Sequence, residues 1–199
     1  MLSGEINNIK QGSILFHGKE INYLSINDRR KKGMVFIPED RSGHGAIGNF
    51  SLIDNLLLTN LWDVDFFKNG VIDYIYSAKK TKEVIDEFNV ICKDENSLAS
   101  SLSGGNLQKF VVGREILKGP DIIVCEQPTW GVDIGSANMI HDFLLDKAKM
   151  GATIIIISQD IDELRKICHR MAIISNGKLS KIYDASSITS ENIAIEMAK

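Results

Sequence analysis

The sequence predicts an α/β fold: a mostly parallel sheet with flanking helices, plus a helical subdomain. Three observations predict it. The apolar runs Asp121-Ile-Ile-Val-Cys125, Thr153-Ile-Ile-Ile-Ile157 and Met171-Ala-Ile-Ile174 lack apolar/polar alternation, so both faces of each strand need cover. The stretches between them, 136–149 and 160–168, have helical length and pattern, as right-handed crossovers between parallel strands require. A long segment before them changes to helical periodicity without strands.

From the start of the chain, Gly12-Ser-Ile-Leu-Phe-His-Gly-Lys-Glu-Ile21 reads as a short strand and turn. A polar stretch follows, then the apolar strand Met34-Val-Phe-Ile37, stopped by Pro38. Residues 1–50 are therefore a β-rich opening. At Ser51-x-x-Asp54 the pattern becomes that of a helix N-cap, with Leu52, Leu56, Leu57 and Trp62 near helical spacing. Ile72, Ile75, Ile85 and Phe88 continue it on a Lys/Glu-rich background. We place a helical subdomain at 51–112 and the second half of an α/β core at 113–199, with a helix predicted over 103–117. No internal repeat or low-complexity tract interrupts this order.

Composition narrows the function. The net charge is −3, with acidic and basic residues interspersed, so there is no basic footprint for nucleic acid. The longest apolar run, 152–157, is far below the roughly 20 residues that cross a bilayer. Nothing at the start resembles a secretory leader, which sets the expectation of a cytoplasmic location. The three cysteines, Cys92, Cys125 and Cys168, are odd in number and widely spaced, which suits reduced thiols rather than a zinc site or disulfides. The four histidines show no metal-binding spacing.

Two stretches carry chemistry. Ser101-Leu-Ser-Gly-Gly-Asn-Leu-Gln-Lys109 is a small glycine turn running into a helix, whose free N–H groups and adjacent serine hydroxyl suit a nucleotide phosphate. Ser103, Gly104 and Gly105 are the expected donors. A serine cap with glycines for a tight turn would explain those three residues alone. Eighteen residues after Ser103, Asp121-Ile-Ile-Val-Cys-Glu-Gln-Pro-Thr-Trp-Gly-Val-Asp133 is an apolar strand that ends in an acid and an amide. Such residues sit at the carboxyl edge of an open sheet, where ligands bind.

Taken in order and spacing, these segments resemble the ATP-binding cassette, an ABC-type P-loop NTPase fold. Leu102-Ser-Gly-Gly-Asn106 is similar to its signature, 121–127 to its Walker B strand, Gly131-Val-Asp-Ile-Gly135 to its D-loop and 153–159 to its switch strand. Ile37-Pro-Glu-Asp-Arg41, Gly43-His-Gly45, Ser51-Leu-Ile-Asp-Asn55 and Gln127-Pro-Thr129 resemble the second cassette of tandem ATP-binding proteins that drive simple-sugar and nucleoside importers. Gln-Pro-Thr leans toward the nucleoside branch. The resemblance implies ATP and Mg2+ as cofactors. It implies nucleotide contacts at Ser103, Gly104, Gly105, Asn106, Gln108, Glu126, Asp133 and Glu39, with Glu126 also a Mg2+ ligand. Its implied partners are an N-terminal cassette and permease transmembrane subunits, at the cytoplasmic face of the inner membrane.

The departures also inform. No Gly-x-x-x-x-Gly-Lys-[Ser/Thr] phosphate loop occurs in the 199 residues, and Gly12 to Lys19, with five intervening residues, reads as a hairpin. By the resemblance, the loop would lie upstream of Leu2-Ser-Gly-Glu5, which makes the fold look truncated at its N-terminus. Gln127 occupies the usual catalytic glutamate position, and an amide cannot accept a proton as a carboxylate does. Gln159 stands where many cassettes carry the switch histidine, and Glu39 where the loop toward Mg2+ carries glutamine. Trp130 replaces an arginine and takes no role. The expected function is the C-terminal ATP-binding cassette of an importer, completing a partner's site rather than hydrolysing ATP alone, with Ile47, Phe50 and Leu52 expected to receive a permease helix. A non-transport cassette ATPase of DNA repair or translation and an inactive truncated remnant are the alternatives.

Overall fold

The computed structural model describes residues 2–6, 9 and 11–198, and the chain divides into two units, 1–157 and 158–199. Strands β1 (Leu15–Phe16) and β2 (Lys19–Glu20) pair antiparallel about His17-Gly18, both at positive φ as a two-residue hairpin turn requires. The segment from Gly12 to Lys19 is therefore the expected hairpin. The polar stretch after it holds a helix absent from the sequence reading, α1 (Ile26–Lys31), started by Ser25, whose hydroxyl accepts the Asp28 N–H. Its Arg29 is fully buried and donates to the carbonyls of Leu2, Ile21, Asn22 and Leu24.

The centre of the first unit is a three-stranded parallel sheet, order β3-β6-β7, from β3 (Met34–Ile37), β6 (Ile122–Glu126) and β7 (Thr153–Ile157). Ile37 is level with Cys125, and Glu126 with Ile157, so all three carboxyl ends reach one edge. Helix α5 (Ile134–Lys149) makes the crossover from β6 to β7. Ile123 and Cys125 are fully buried, packed with α4 (Gly104–Ile116) and with Ile140 and Leu144 of α5. β7 departs from the expected burial. As an edge strand among the described residues it has one neighbour, and Ile154–Ile156 are only half-buried.

α2 (Leu52–Leu58) begins at the expected cap: Ser51 Oγ accepts the Asp54 N–H at 3.0 Å and donates to Asp54 Oδ2 at 2.6 Å. Leu52, Leu56 and Leu57 are core, whereas Trp62 lies beyond the helix and donates to the Thr59 carbonyl. The second amphipathic stretch is divided. Ile72 belongs to a hairpin of β4 (Phe67–Lys68) and β5 (Val71–Ile72), and α3 (Tyr74–Glu87) starts only after the Asp73 cap. Ile75 is 86% exposed, so it is no core residue. The buried face carries Ser77, Thr81 and Val84, followed by Phe88, because the two hydroxyls return their hydrogen bonds to the carbonyls of Asp73 and Ser77. α4 is buried from Leu107 to Ile116. Gly113 is its point of closest approach, since a Cβ there would lie 2.7 Å from the Phe88 ring.

The second unit contains α6 (Ile161–Ile167), β8 (Arg170–Met171), β9 (Ile174–Ser175), β10 (Lys178–Leu179), β11 (Tyr183–Asp184) and α7 (Ser190–Met197). The run 171–174, expected as a further parallel strand, is broken instead. β8 pairs antiparallel with β11, and β9 with β10 across Asn176-Gly177. Met171, Ala185, Ile188 and Ile193 form this unit's own small core. No helix among the described residues is long and apolar enough to cross a membrane.

Candidate nucleotide site

The glycine turn before α4 opens at the surface. Ser103 is its N-cap: Oγ accepts from the Asn106 amide N–H at 3.4 Å and from Asn106 Nδ2 at 3.0 Å. Asn106 Oδ1 in turn accepts from Ile91 N at 2.9 Å, so Asn106 ties the turn to the segment after α3. Ser103 and Gly104 are exposed, and first-turn N–H groups of a helix lack intrahelical acceptors. The arrangement suits an anion placed at the helix start.

The glycines answer to their neighbours as well. A Cβ on Gly105 would sit 3.2 Å from Asp133 Oδ2 and 3.3 Å from Ser136 Oγ; on Gly104 it would sit 3.4 Å from the Arg41 guanidinium. The 103–105 turn is thus packed beside the start of α5. There Asp133 is the N-cap, accepting from Ser136 N at 2.9 Å and Ser136 Oγ at 2.7 Å, hydrogen bonds that lower its pKa.

At the sheet edge, Glu126 ends β6 exposed and Glu39 lies two residues past the end of β3, also exposed. Their strands are neighbours in register, so two carboxylates share the edge. Gln127 does not stand open beside them. It turns into the left-handed region at φ 48°, donates its N–H to the Ile157 carbonyl at 2.8 Å and is buried. Gln108 is also closed off: at 1% exposure its amide donates to the Pro128 carbonyl at 2.8 Å, leaving no surface for a nucleotide. It ties α4 to the loop after β6. Gln159 belongs to the second unit, exposed, one residue before the Asp160 cap of α6.

Glu126 offers at most two oxygens, and among the described residues no group of three metal-ligating side chains occurs. The site fits Mg2+ only in the manner usual for that ion, where phosphates and water complete the shell.

Two features were missed in the sequence. Arg41 donates to the carbonyls of Trp130 at 2.6 Å and Gly131 at 3.4 Å, partners 89 and 90 positions away that no local pattern reveals. Asn55, fully buried, accepts from Ile47 N at 2.7 Å and donates to the carbonyls of Ile47, Phe50 and Ser51. Arg114 donates to the carbonyls of Asn55 and Gly45. Together they hold the 45–51 loop. On that loop Phe50 is exposed and Ile47 half-buried, but Leu52 lies in the core and is unavailable to a partner.

Solved structures place this architecture. The dimeric post-hydrolysis state of the ATP-binding cassette MJ0796 bound to ADP and Pi superposes with a TM-score of 0.73 at 19% identity, covering 88% of this chain and 74% of that one. A nucleotide-free cassette from an ABC transporter gives 0.73 at 21% identity, with 100% and 77% covered. The chain has the ATP-binding cassette fold. No protein-family model matches it. Among curated proteins, this chain is 31% identical over 187 residues to the guanosine import ATP-binding protein NupO of Bacillus subtilis, covering 94% of this chain and 37% of the relative. It is 31% identical over 189 residues to the nucleoside import ATP-binding protein NupA of Lactococcus lactis, covering 95% and 37%. The galactose/methyl galactoside import ATP-binding protein MglA of Escherichia coli is 34% identical over 184 residues, covering 92% and 36%. The chain spans just over a third of the length of each of these relatives.

Proposed function

We propose that the chain is the C-terminal ATP-binding cassette of an importer of nucleosides or simple sugars, and that it completes the nucleotide site of a second cassette. The similarity to nucleoside and sugar import ATP-binding proteins over more than nine-tenths of the chain supports the transport class. The observation that carries the division of labour is the open, Ser103-capped start of α4 next to the Asp133 cap.

In this reading the Gly104 and Gly105 N–H groups and the Ser103 hydroxyl donate to the terminal phosphate of ATP held by the other cassette. Glu126 is the residue that would hold Mg2+, and the ion would supply charge neutralisation there. Gln127, an amide, takes no proton from water. Ile47 and Phe50, on the loop pinned by Asn55 and Arg114, are the residues offered to a permease subunit. These assignments place the protein at the cytoplasmic face of the membrane.

Because the 199 residues hold no Gly-x-x-x-x-Gly-Lys-[Ser/Thr], the isolated chain is expected to bind ATP·Mg with a Kd weaker than about 1 mM. Isothermal titration calorimetry checks this, and micromolar affinity would contradict it.

A further inference from the structure

The loop from β6 to α5 is the least regular part of the candidate site. It enters through Gln127 at φ 48° and passes Gly131 at φ 63°, two left-handed residues, before Asp133 begins α5. Its first half is held by Gln127 N to the Ile157 carbonyl and by Gln108 to the Pro128 carbonyl, and its end by the Asp133 cap. Between them the chain is exposed at Trp130 and Gly131. Two turn bonds, Trp130 N to Gln127 O and Val132 N to Thr129 O, are local and anchor nothing outside the loop.

Arg41 reaches those two exposed residues. It sits on a segment closed by its own bonds: Gly45 N to Asp40 O at 2.7 Å, Ala46 N to Arg41 O at 2.9 Å, Gly43 N to Ala46 O at 2.8 Å and Ser42 N to Asp40 Oδ1 at 2.9 Å. That segment runs into the 45–51 loop held by Asn55 and Arg114. Its guanidinium then grips two successive carbonyls, a use for which a planar fork of donors is suited and an ammonium is not. The fit is close. A Cβ on Gly131 would come within 2.8 Å of Arg41 Nη2, and one on Gly104 within 3.4 Å.

We propose that Arg41 is the positioning residue of the β6–α5 loop: its hydrogen bonds to Trp130 and Gly131 fix the 130–133 segment against the signature turn and join it to the segment that follows Glu39. A displacement at residues 39–46 is thereby passed to the face formed by Asp133 and Gly105 through one side chain. Its effect on turnover rests on the proposed function; its hold on the loop does not.

Two measurements on Arg41→Ala and Arg41→Lys test it. In the 199-residue chain, hydrogen exchange of the Val132 amide, which donates to the Thr129 carbonyl, is expected to quicken about tenfold in Arg41→Ala, with Arg41→Lys, which can serve one carbonyl well, in between. Circular dichroism verifies that both variants stay folded. In the chain paired with a cassette that carries a phosphate loop, kcat for ATP is expected to fall about tenfold in Arg41→Ala with KM unchanged, and Arg41→Lys to recover part of it. Unchanged exchange at Val132 would overturn the proposal. Faster exchange with unchanged kcat would overturn the link to turnover. A silent Ser103→Arg in the same assay would instead locate the failure in the proposed composite site.

Discussion

Ser103→Arg is expected to abolish ATP turnover in the assembled transporter, a loss on the order of 100-fold or more, as for removal of a main transition-state donor. Ser103 caps α4 with its own hydroxyl and lies exposed at the mouth of the turn, so an arginine there both removes the cap and fills the space a phosphate would take. Gln127→Ala is expected to cost less than about fivefold. Its side chain cannot act as a base, and the structure places it buried behind the sheet edge instead of open beside Glu126. Gln127 already carries a Cβ in the left-handed region, so alanine adds no backbone strain and no stability loss from that source accompanies the variant. Steady-state phosphate release from the two variants checks the asymmetry; equal losses would mean that both faces of the pair are productive.

The second large effect is on stability. Glu115, on the last turn of α4, is fully buried and accepts from Arg30 at 2.6 Å, Lys118 at 2.7 Å and Arg114 at 3.2 Å. Burial acts to raise its pKa, but the three cations outweigh burial and hold it at about 2, while burial brings the Lys118 amine down to about 8. Glu115→Gln removes the carboxylate that these three salt bridges share. It is expected to cost about 3–5 kcal/mol, or roughly 10 °C in Tm, because buried cations are left unpaired. Urea denaturation checks it, and a loss below about 1 kcal/mol would show that water or rearrangement replaces the carboxylate. The sign of the pH dependence follows from the depressed pKa. The Glu115 contribution is complete above the ordinary value of 4.5 and is lost as pH falls from there toward 2, a depression of that size being worth about 3 kcal/mol. Lys118 adds a slope of the same sign in a higher window: its folded pKa lies below the free value of 10.5, so its buried charge costs stability below pH 8 and that cost is relieved as pH rises from 8 toward 10.5. In acid titration the wild type should lose stability between pH 4.5 and 2 more steeply than Glu115→Gln.

Much of this was legible in the sequence because it depends on near neighbours. The parallel strands at 122–126 and 153–157 show as unbroken apolar runs, and the Ser51, Ser103 and Asp133 caps as small polar residues just ahead of helical patterns. The Ser103 turn ahead of α4 and the exposed Glu126 at the end of β6 follow from the same local chemistry. What escaped was decided by tertiary contacts. Hydroxyls on α3 satisfy themselves within the helix, so a face bearing Ser77 and Thr81 is buried while Ile75 is left in water. The apolar run 171–174 is long enough for one strand, yet its two halves find different antiparallel partners. Helix α7 gave no expectation at all, though Thr189 caps it. Gln108 shares the signature's polar pattern, but its position on α4 turns it inward to Pro128. Arg41 and Asn55 act on carbonyls, which every residue type carries, and no sequence pattern marks such acceptors.

The claim on which the account depends is that this chain lends its α4 turn to another cassette's nucleotide. The direct measurement is the ATPase rate of a cassette that carries a phosphate loop, titrated with the 199-residue chain. The account predicts a saturable rise in rate with wild-type chain, on the order of 100-fold at saturation as for a completed set of phosphate donors, and no rise with Ser103→Arg. A flat titration with wild-type chain, or an equal rise with Ser103→Arg, would contradict it.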